Sequence, residues 1–95
     1  MKGPNSNKSM VVLSVEVVLM RKGGPQYHLV LARLERDYGC KIFDCFERPD
    51  YLKAVLQDVY GSDYKTIVDN LESELGELVS EPDVVGFLKA LKENN

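Results

Sequence analysis

The sequence predicts a mainly α protein, a small bundle of about five short helices. Apolar residues recur at helical spacings in most of the chain, and glycine, proline and serine separate the segments that carry this pattern. Ninety-five residues make one domain. We expect a flexible tail over 1–8 and a single globular domain over 9–95. The alternative is an α+β fold, with a strand or hairpin within 10–46 packed on C-terminal helices.

The segment 10–20 is the most ambiguous part of the chain. Its odd positions from 11 to 19 are all apolar, and β-branched valines are frequent there, which favours a half-buried strand. A capping Ser9 and the basic pair and glycine at 21–23 favour a helix instead. A strand would also find its partner only at 41–46, and two strands alone are marginally stable. We therefore predict a helix over 9–22.

A second helix is predicted over 25–38. Pro25 suits a first helical position, and Gly39 is a natural left-handed stop. Apolar residues between them follow a helical stripe, although residues 27–34 are also compatible with a strand, since both alternating faces are apolar. Residues 40–48 could form a helical turn or a short strand.

The C-terminal half predicts three more helices, over 49–60, 63–78 and 82–93. Pro49 opens the first and Gly61 ends it, with Ser62 or Asp63 as the next cap. Gly76 costs about 1 kcal/mol relative to alanine inside a helix, so we expect a bend or an end there. Ser80 is predicted to cap the last helix. The predicted core is Val11, Val15, Val18, Val30, Leu31, Leu34, Leu52, Val55, Leu56, Val59, Ile67, Val68, Leu71, Leu75, Phe87, Leu88 and Leu91.

The charge is divided unevenly along the chain, although the net value is only −3. Residues 1–53 hold nine lysines and arginines against six acids, and residues 54–95 hold three against nine. Two cysteines do not make the disulfide framework of a small secreted domain, so we expect a reducing, cytoplasmic setting. The apolar run 10–20 is too short to cross a bilayer, which takes about 20 residues, and no membrane partner is expected.

No grouping typical of catalysis or metal binding is present, and we expect neither an enzyme nor a cofactor. Cys40 and Cys45 are separated by four residues rather than two, and His28 is the lone histidine, which is too few ligands for zinc. A Cys–His nucleophile would need His28 beside a thiol, and nothing local enforces this. The glycines at 23–24 match neither a phosphate-binding loop nor a dinucleotide fingerprint.

The strongest functional signal is an excess of apolar residues, nine of eleven between Met10 and Met20. A helix that is apolar nearly all round is either central to a core or covered by a partner. We therefore expect an accessory or regulatory protein that acts by protein–protein contact, with a homodimer as one form. The residues predicted to make that contact are Val11, Val15, Val18 and Leu19.

A basic face within 21–41 supports a second hypothesis, nucleic-acid binding. Its candidate phosphate contacts are Arg21, Lys22, Arg33, Arg36 and Lys41. The net negative charge argues against such a role, and Glu35 and Asp37 interrupt the face.

Overall fold

The computed structural model describes residues 6–93. Within these residues, five α-helices follow one another: α1 (Ser6–Lys22), α2 (Gly24–Tyr38), α3 (Pro49–Tyr60), α4 (Tyr64–Leu75) and α5 (Pro82–Lys92). Short 3₁₀ helices connect them at Ile42–Phe46, Gly61–Asp63 and Gly76–Ser80. Because the described chain contains no strand, the mainly α prediction is confirmed and the α+β alternative is wrong.

The first helix begins earlier than predicted. Residues 6–8 belong to α1 and Ser9 lies inside it rather than capping it, whereas residues 1–5 of the expected tail lie outside the described residues. Tertiary contacts stabilise this first turn. The ammonium of Lys8 lies 2.8 Å from a Glu47 carboxylate oxygen and 4.2 Å from the centre of the Phe43 ring.

Two glycines form the turns at the ends of α2. Gly23, at φ +144°, donates its N–H to the carbonyl of Leu19 and so ends α1. Gly39 has φ +61°, and the N–H groups of Gly39 and Cys40 donate to carbonyls in the last turn of α2. This left-handed ending is the one that the sequence predicts at Gly39, where a residue with a Cβ would be strained.

The fourth helix is shorter than the predicted 63–78. Gly76 has φ +58°, so α4 ends at Leu75 and the chain continues as a 3₁₀ helix. The predicted caps are also wrong: Asp63 precedes α4 without a side-chain capping bond, and Ser80 donates to the carbonyl of Glu77 instead. These ends are therefore determined by glycine conformation and by packing rather than by side-chain caps.

The core is built around α1, which packs against α2, α4, α5 and the 3₁₀ helix at 42–46. Most predicted core residues are buried, and Leu31 and Val59 are only partly so. Buried as well, although outside the predicted core set, are Val12, Leu19, Cys40, Cys45 and Val84. The two cysteines lie in or next to the 3₁₀ helix at 42–46, where helical periodicity carries little information.

Candidate interaction surface

One face of α1 lies in the chain's own core. The four residues predicted to contact a partner, Val11, Val15, Val18 and Leu19, are only 0–4% exposed. The prediction is wrong for these residues, because α2, α4 and α5 cover the side of α1 on which they lie. They stabilise the monomer fold and have no surface to offer a partner.

The opposite face of α1 carries a second apolar row, which we call the α1 stripe: Met10, Leu13, Val17 and Met20. Met10 is 49% exposed, Leu13 and Met20 are each 52% exposed, and Val17 is partly exposed. Successive members are three, four and three residues apart. At 3.6 residues per turn this spacing places them in a narrow row along the helix. The buried row at Val11, Val15 and Val18 has the same kind of spacing, so the sequence alone does not tell which row is exposed.

One edge of the α1 stripe is formed by Glu16 and Tyr27. The Tyr27 hydroxyl donates a hydrogen bond of 2.8 Å to Glu16 Oε2, which holds the carboxylate beside Leu13 and Val17 in a shallow groove. Burial, together with the bond to Glu16 and its charge, raises the pKa of Tyr27. The hydroxyl, which is protonated at neutral pH even at its ordinary pKa of 10.0, therefore keeps donating to Glu16 at higher pH as well.

The other edge of the α1 stripe is formed by Arg21 in the last turn of α1. Its Nη1 donates to Glu74 Oε1 at 2.7 Å, and its side chain is 67% exposed. A guanidinium has five donor hydrogens, and among the described residues Glu74 accepts from Nη1 alone. The α1 stripe therefore has an acid on one edge and a base on the other.

The five residues of the predicted basic face are each paired with a carboxylate. Arg21 pairs with Glu74, Lys22 with Asp63 (3.7 Å), Arg33 with Asp58 (2.5 Å) and Asp37 (3.0 Å), Arg36 with Asp37 (2.8 Å) and Lys41 with Glu35 (3.5 Å). Hydrogen bonds from Arg36 and Arg33 lower the pKa of Asp37. Because these acids neutralise the cations locally, the face offers little net positive potential to a phosphate backbone.

An aromatic pair lies close to this face. The rings of Tyr38 and Tyr51 stack with centroids 4.3 Å apart and planes 14° apart, and the Arg48 guanidinium lies 4.2 Å from the centre of the Tyr51 ring. The Tyr38 ring and the Arg48 guanidinium therefore both pack against the Tyr51 ring. This arrangement leaves it unable to stack on a nucleic-acid base, the contact that single-strand binders use.

The two thiols and the histidine do not come together. Cys40 and Cys45 are buried, and both sulfurs lie near the carbonyl oxygen of Lys41, at 3.6 and 3.8 Å. Burial and then the neighbouring Cys40 raise the pKa of the Cys45 thiol. His28 is exposed near the start of α2, whereas the cysteines follow the other end of that helix. From His28 to Tyr38, at that end, the helix is about 15 Å long. Within residues 6–93, no three potential metal ligands form a group.

In the part of the chain that the structure describes, every helix is too short or too polar to span a bilayer. No protein-family model, curated protein or solved structure matches the chain. Function is therefore inferred from the geometry of the described residues.

Proposed function

We propose that this chain is an accessory or regulatory protein that acts by contact with another protein, and that the α1 stripe is its contact surface. The observation that carries the proposal is a row of four apolar side chains on the face of α1 opposite the core. Single exposed apolar residues are ordinary, whereas a continuous row with charged edges is typical of a surface that a partner covers.

The energetics favour a covered α1 stripe. Complete burial of a leucine or methionine side chain contributes about 1.5–3 kcal/mol, so burial of the exposed halves of Met10, Leu13 and Met20 would contribute about 1 kcal/mol each. Two of these three are methionines, whose flexible thioether chains adapt to irregular partner surfaces. An amphipathic partner helix is the element that best fits such a row.

Site-specific photo-cross-linking in the source cells tests the proposal. A photoreactive phenylalanine analogue replaces Leu13 in one variant and the exposed Thr66 of α4 in a matched control. We expect adducts of defined mass, identified by mass spectrometry, from position 13 and none in common with position 66. Absence of adducts at position 13, or the same adducts at both positions, would overturn the proposal.

We place this activity in the reducing cytoplasm. Two free, buried cysteines support that setting, because small domains in oxidising compartments usually pair their cysteines. Fractionation of the source cells tests the location, and recovery of the chain in the extracellular or periplasmic fraction would contradict it.

A further inference from the structure

We infer that the partner on the α1 stripe is a second copy of this chain, with the two α1 helices side by side and parallel. The inference rests on the proposed function, because it takes the α1 stripe as the contact surface, and it adds the identity and orientation of the partner. Three observations support the inference: the residues at the heptad positions, the charges at the two edges and the size of the contact.

The α1 stripe has the residue pattern of a two-stranded parallel coiled coil. Met10 and Val17 occupy the a positions of a heptad, and Leu13 and Met20 occupy the d positions. At the centre of the row, a β-branched residue at a follows a leucine at d, the combination that favours two parallel strands over three or four. The covering element is therefore one more helix of the same length.

The charges at the two edges are complementary between two copies. Glu16 falls at a g position and Arg21 at the next e position, and residues at e and g set the partner and orientation of a coiled coil. In a parallel pair Glu16 lies beside Arg21 of the partner subunit, and the two-fold axis generates the same pair again. In an antiparallel pair centred on the α1 stripe, g positions face g positions, so Glu16 gains no ion pair.

Both charged groups are positioned for that contact. The hydroxyl of Tyr27 holds Glu16 at the edge of the α1 stripe through a bond of 2.8 Å. Arg21 contacts Glu74 through Nη1 and remains 67% exposed, so its guanidinium has donors left for the carboxylate of a second copy. Neither residue has to leave its present partner.

The size of the row predicts a weak dimer. The row from Met10 to Met20 spans about 15 Å. The surface area that its exposed side chains can bury is well below the ~800 Å² per partner that a stable complex buries. Association is therefore expected at high protein concentration and as a fast equilibrium. A regulatory contact of this kind responds to changes in the amount of the protein.

Sedimentation equilibrium of the full chain, from ~10 μM to ~1 mM, covers the concentrations at which a weak dimer forms. We expect the weight-average mass to rise from 10.7 kDa toward twice that value. Leu13→Glu, and separately Met20→Glu, should hold the mass at 10.7 kDa with an unchanged circular dichroism spectrum. Val85→Glu, at a 46% exposed apolar residue of α5, is the matched control and should leave the rise intact.

Charge variants test the parallel orientation. Glu16→Lys and Arg21→Glu should each weaken self-association, because each places two like charges side by side at the edges. A 1:1 mixture of the two variants should associate more strongly than either variant alone. In that mixture the introduced lysine of one copy faces the introduced glutamate of the other, and the remaining Glu16 and Arg21 also face each other. A mixture no stronger than either variant alone would overturn the parallel pairing.

The failures of the two proposals are distinguishable. A mass of 10.7 kDa throughout the concentration range, or a dimer that survives Leu13→Glu and Met20→Glu, would overturn the second-copy inference. Cross-links from position 13 to a different protein would then leave the proposed function standing. Adducts with the mass of two copies of this chain from position 13 would support both.

Discussion

Tyr27 and Glu16 connect α2 to α1 by a hydrogen bond of 2.8 Å, in which the tyrosine hydroxyl donates to the glutamate Oε2. The two residues are eleven positions apart in sequence, and their part-buried bond joins the two helices on either side of the turn at Gly23. It also keeps a charged carboxylate beside the apolar side chains of Leu13 and Val17.

Tyr27→Phe is expected to lower the free energy of unfolding by about 0.5–1.5 kcal/mol, the net value of one such hydrogen bond. Urea denaturation at neutral pH measures the change. The control is Tyr38→Phe, which removes a hydroxyl from an exposed ring and should stay within about 0.5 kcal/mol. Equal losses in the two variants would contradict a role for the Tyr27–Glu16 bond.

Two glycines should respond to alanine with opposite signs. Gly39 has φ +61° and Gly86 lies inside α5, and a Cβ at either position meets no atom within 4 Å. Gly39→Ala should therefore destabilise the protein by about 1–2 kcal/mol through backbone strain alone. Gly86→Ala should stabilise it by about 0.5–1 kcal/mol because alanine loses less backbone entropy in a helix. Urea midpoints that shift in the same direction would refute this interpretation of the two backbones.

The thiols of Cys40 and Cys45 should react with a disulfide reagent only as the protein unfolds. Both are buried, and burial raises the pKa of Cys45, which suppresses the reactive thiolate. The rate of labelling at pH 8 should increase sharply across the urea transition. Ser9→Cys supplies an exposed thiol on α1 as control and should react at once. Rapid labelling of the native, unsubstituted chain would show that these turns open without global unfolding.

Tyr64 should make stability depend on pH above neutrality. Burial raises its pKa to about 12 from an ordinary 10.0, and its hydroxyl donates to the carbonyl of Leu91 at 2.7 Å. The folded state therefore keeps this proton longer than the unfolded state. The stabilisation is complete below pH 10 and is lost as the pH rises towards 12. Because solvent screens this partly exposed ring, the loss is smaller than the full shift would give, on the order of 1–2 kcal/mol.

The comparison of the original chain with Tyr64→Phe isolates this contribution. Urea unfolding at pH 9 and at pH 11 should show a difference in stability between the two proteins that shrinks at the higher pH. A difference that stays constant, or grows, would mean that Tyr64 does not titrate with a raised pKa.

Nucleic-acid binding by the 21–41 face is expected to be undetectable, because each of its five cations is paired with a carboxylate. Titration of labelled DNA and RNA at low salt measures this, since low salt favours phosphate contacts. The control is Arg33→Ala with Arg36→Ala, which should change nothing. Binding that this double variant abolishes would revive the basic face as a site.

Local signals in the sequence were sufficient to predict where the α-helices lie along the chain. A proline opens α3, and Gly39 ends α2, because the conformations that these residues favour depend on their own backbones. At Gly76 the sequence predicts only a bend or an end of the helix, since glycine tolerates a helix interior as well as a positive φ.

The candidate surface depended on tertiary structure. Apolar residues lie on both sides of α1, so periodicity alone could not tell the buried row of Val11 and Val15 from the exposed row of Leu13 and Val17. Some of the ion pairs that neutralise the basic face join residues far apart in the chain: Arg21 and Glu74 are 53 positions apart, and Arg33 and Asp58 are 25 apart.

The order of the five α-helices thus followed from the sequence, because prolines, glycines and helical spacing act over a few neighbouring residues. Which side of α1 faces water was decided only when α2, α4 and α5 packed around it. The acids that pair with Arg21 and Lys22 likewise come from distant segments that tertiary folding brings close. Burial is a property of the assembled bundle, and a helix that is apolar on two faces acquires an inside and an outside only from its neighbours.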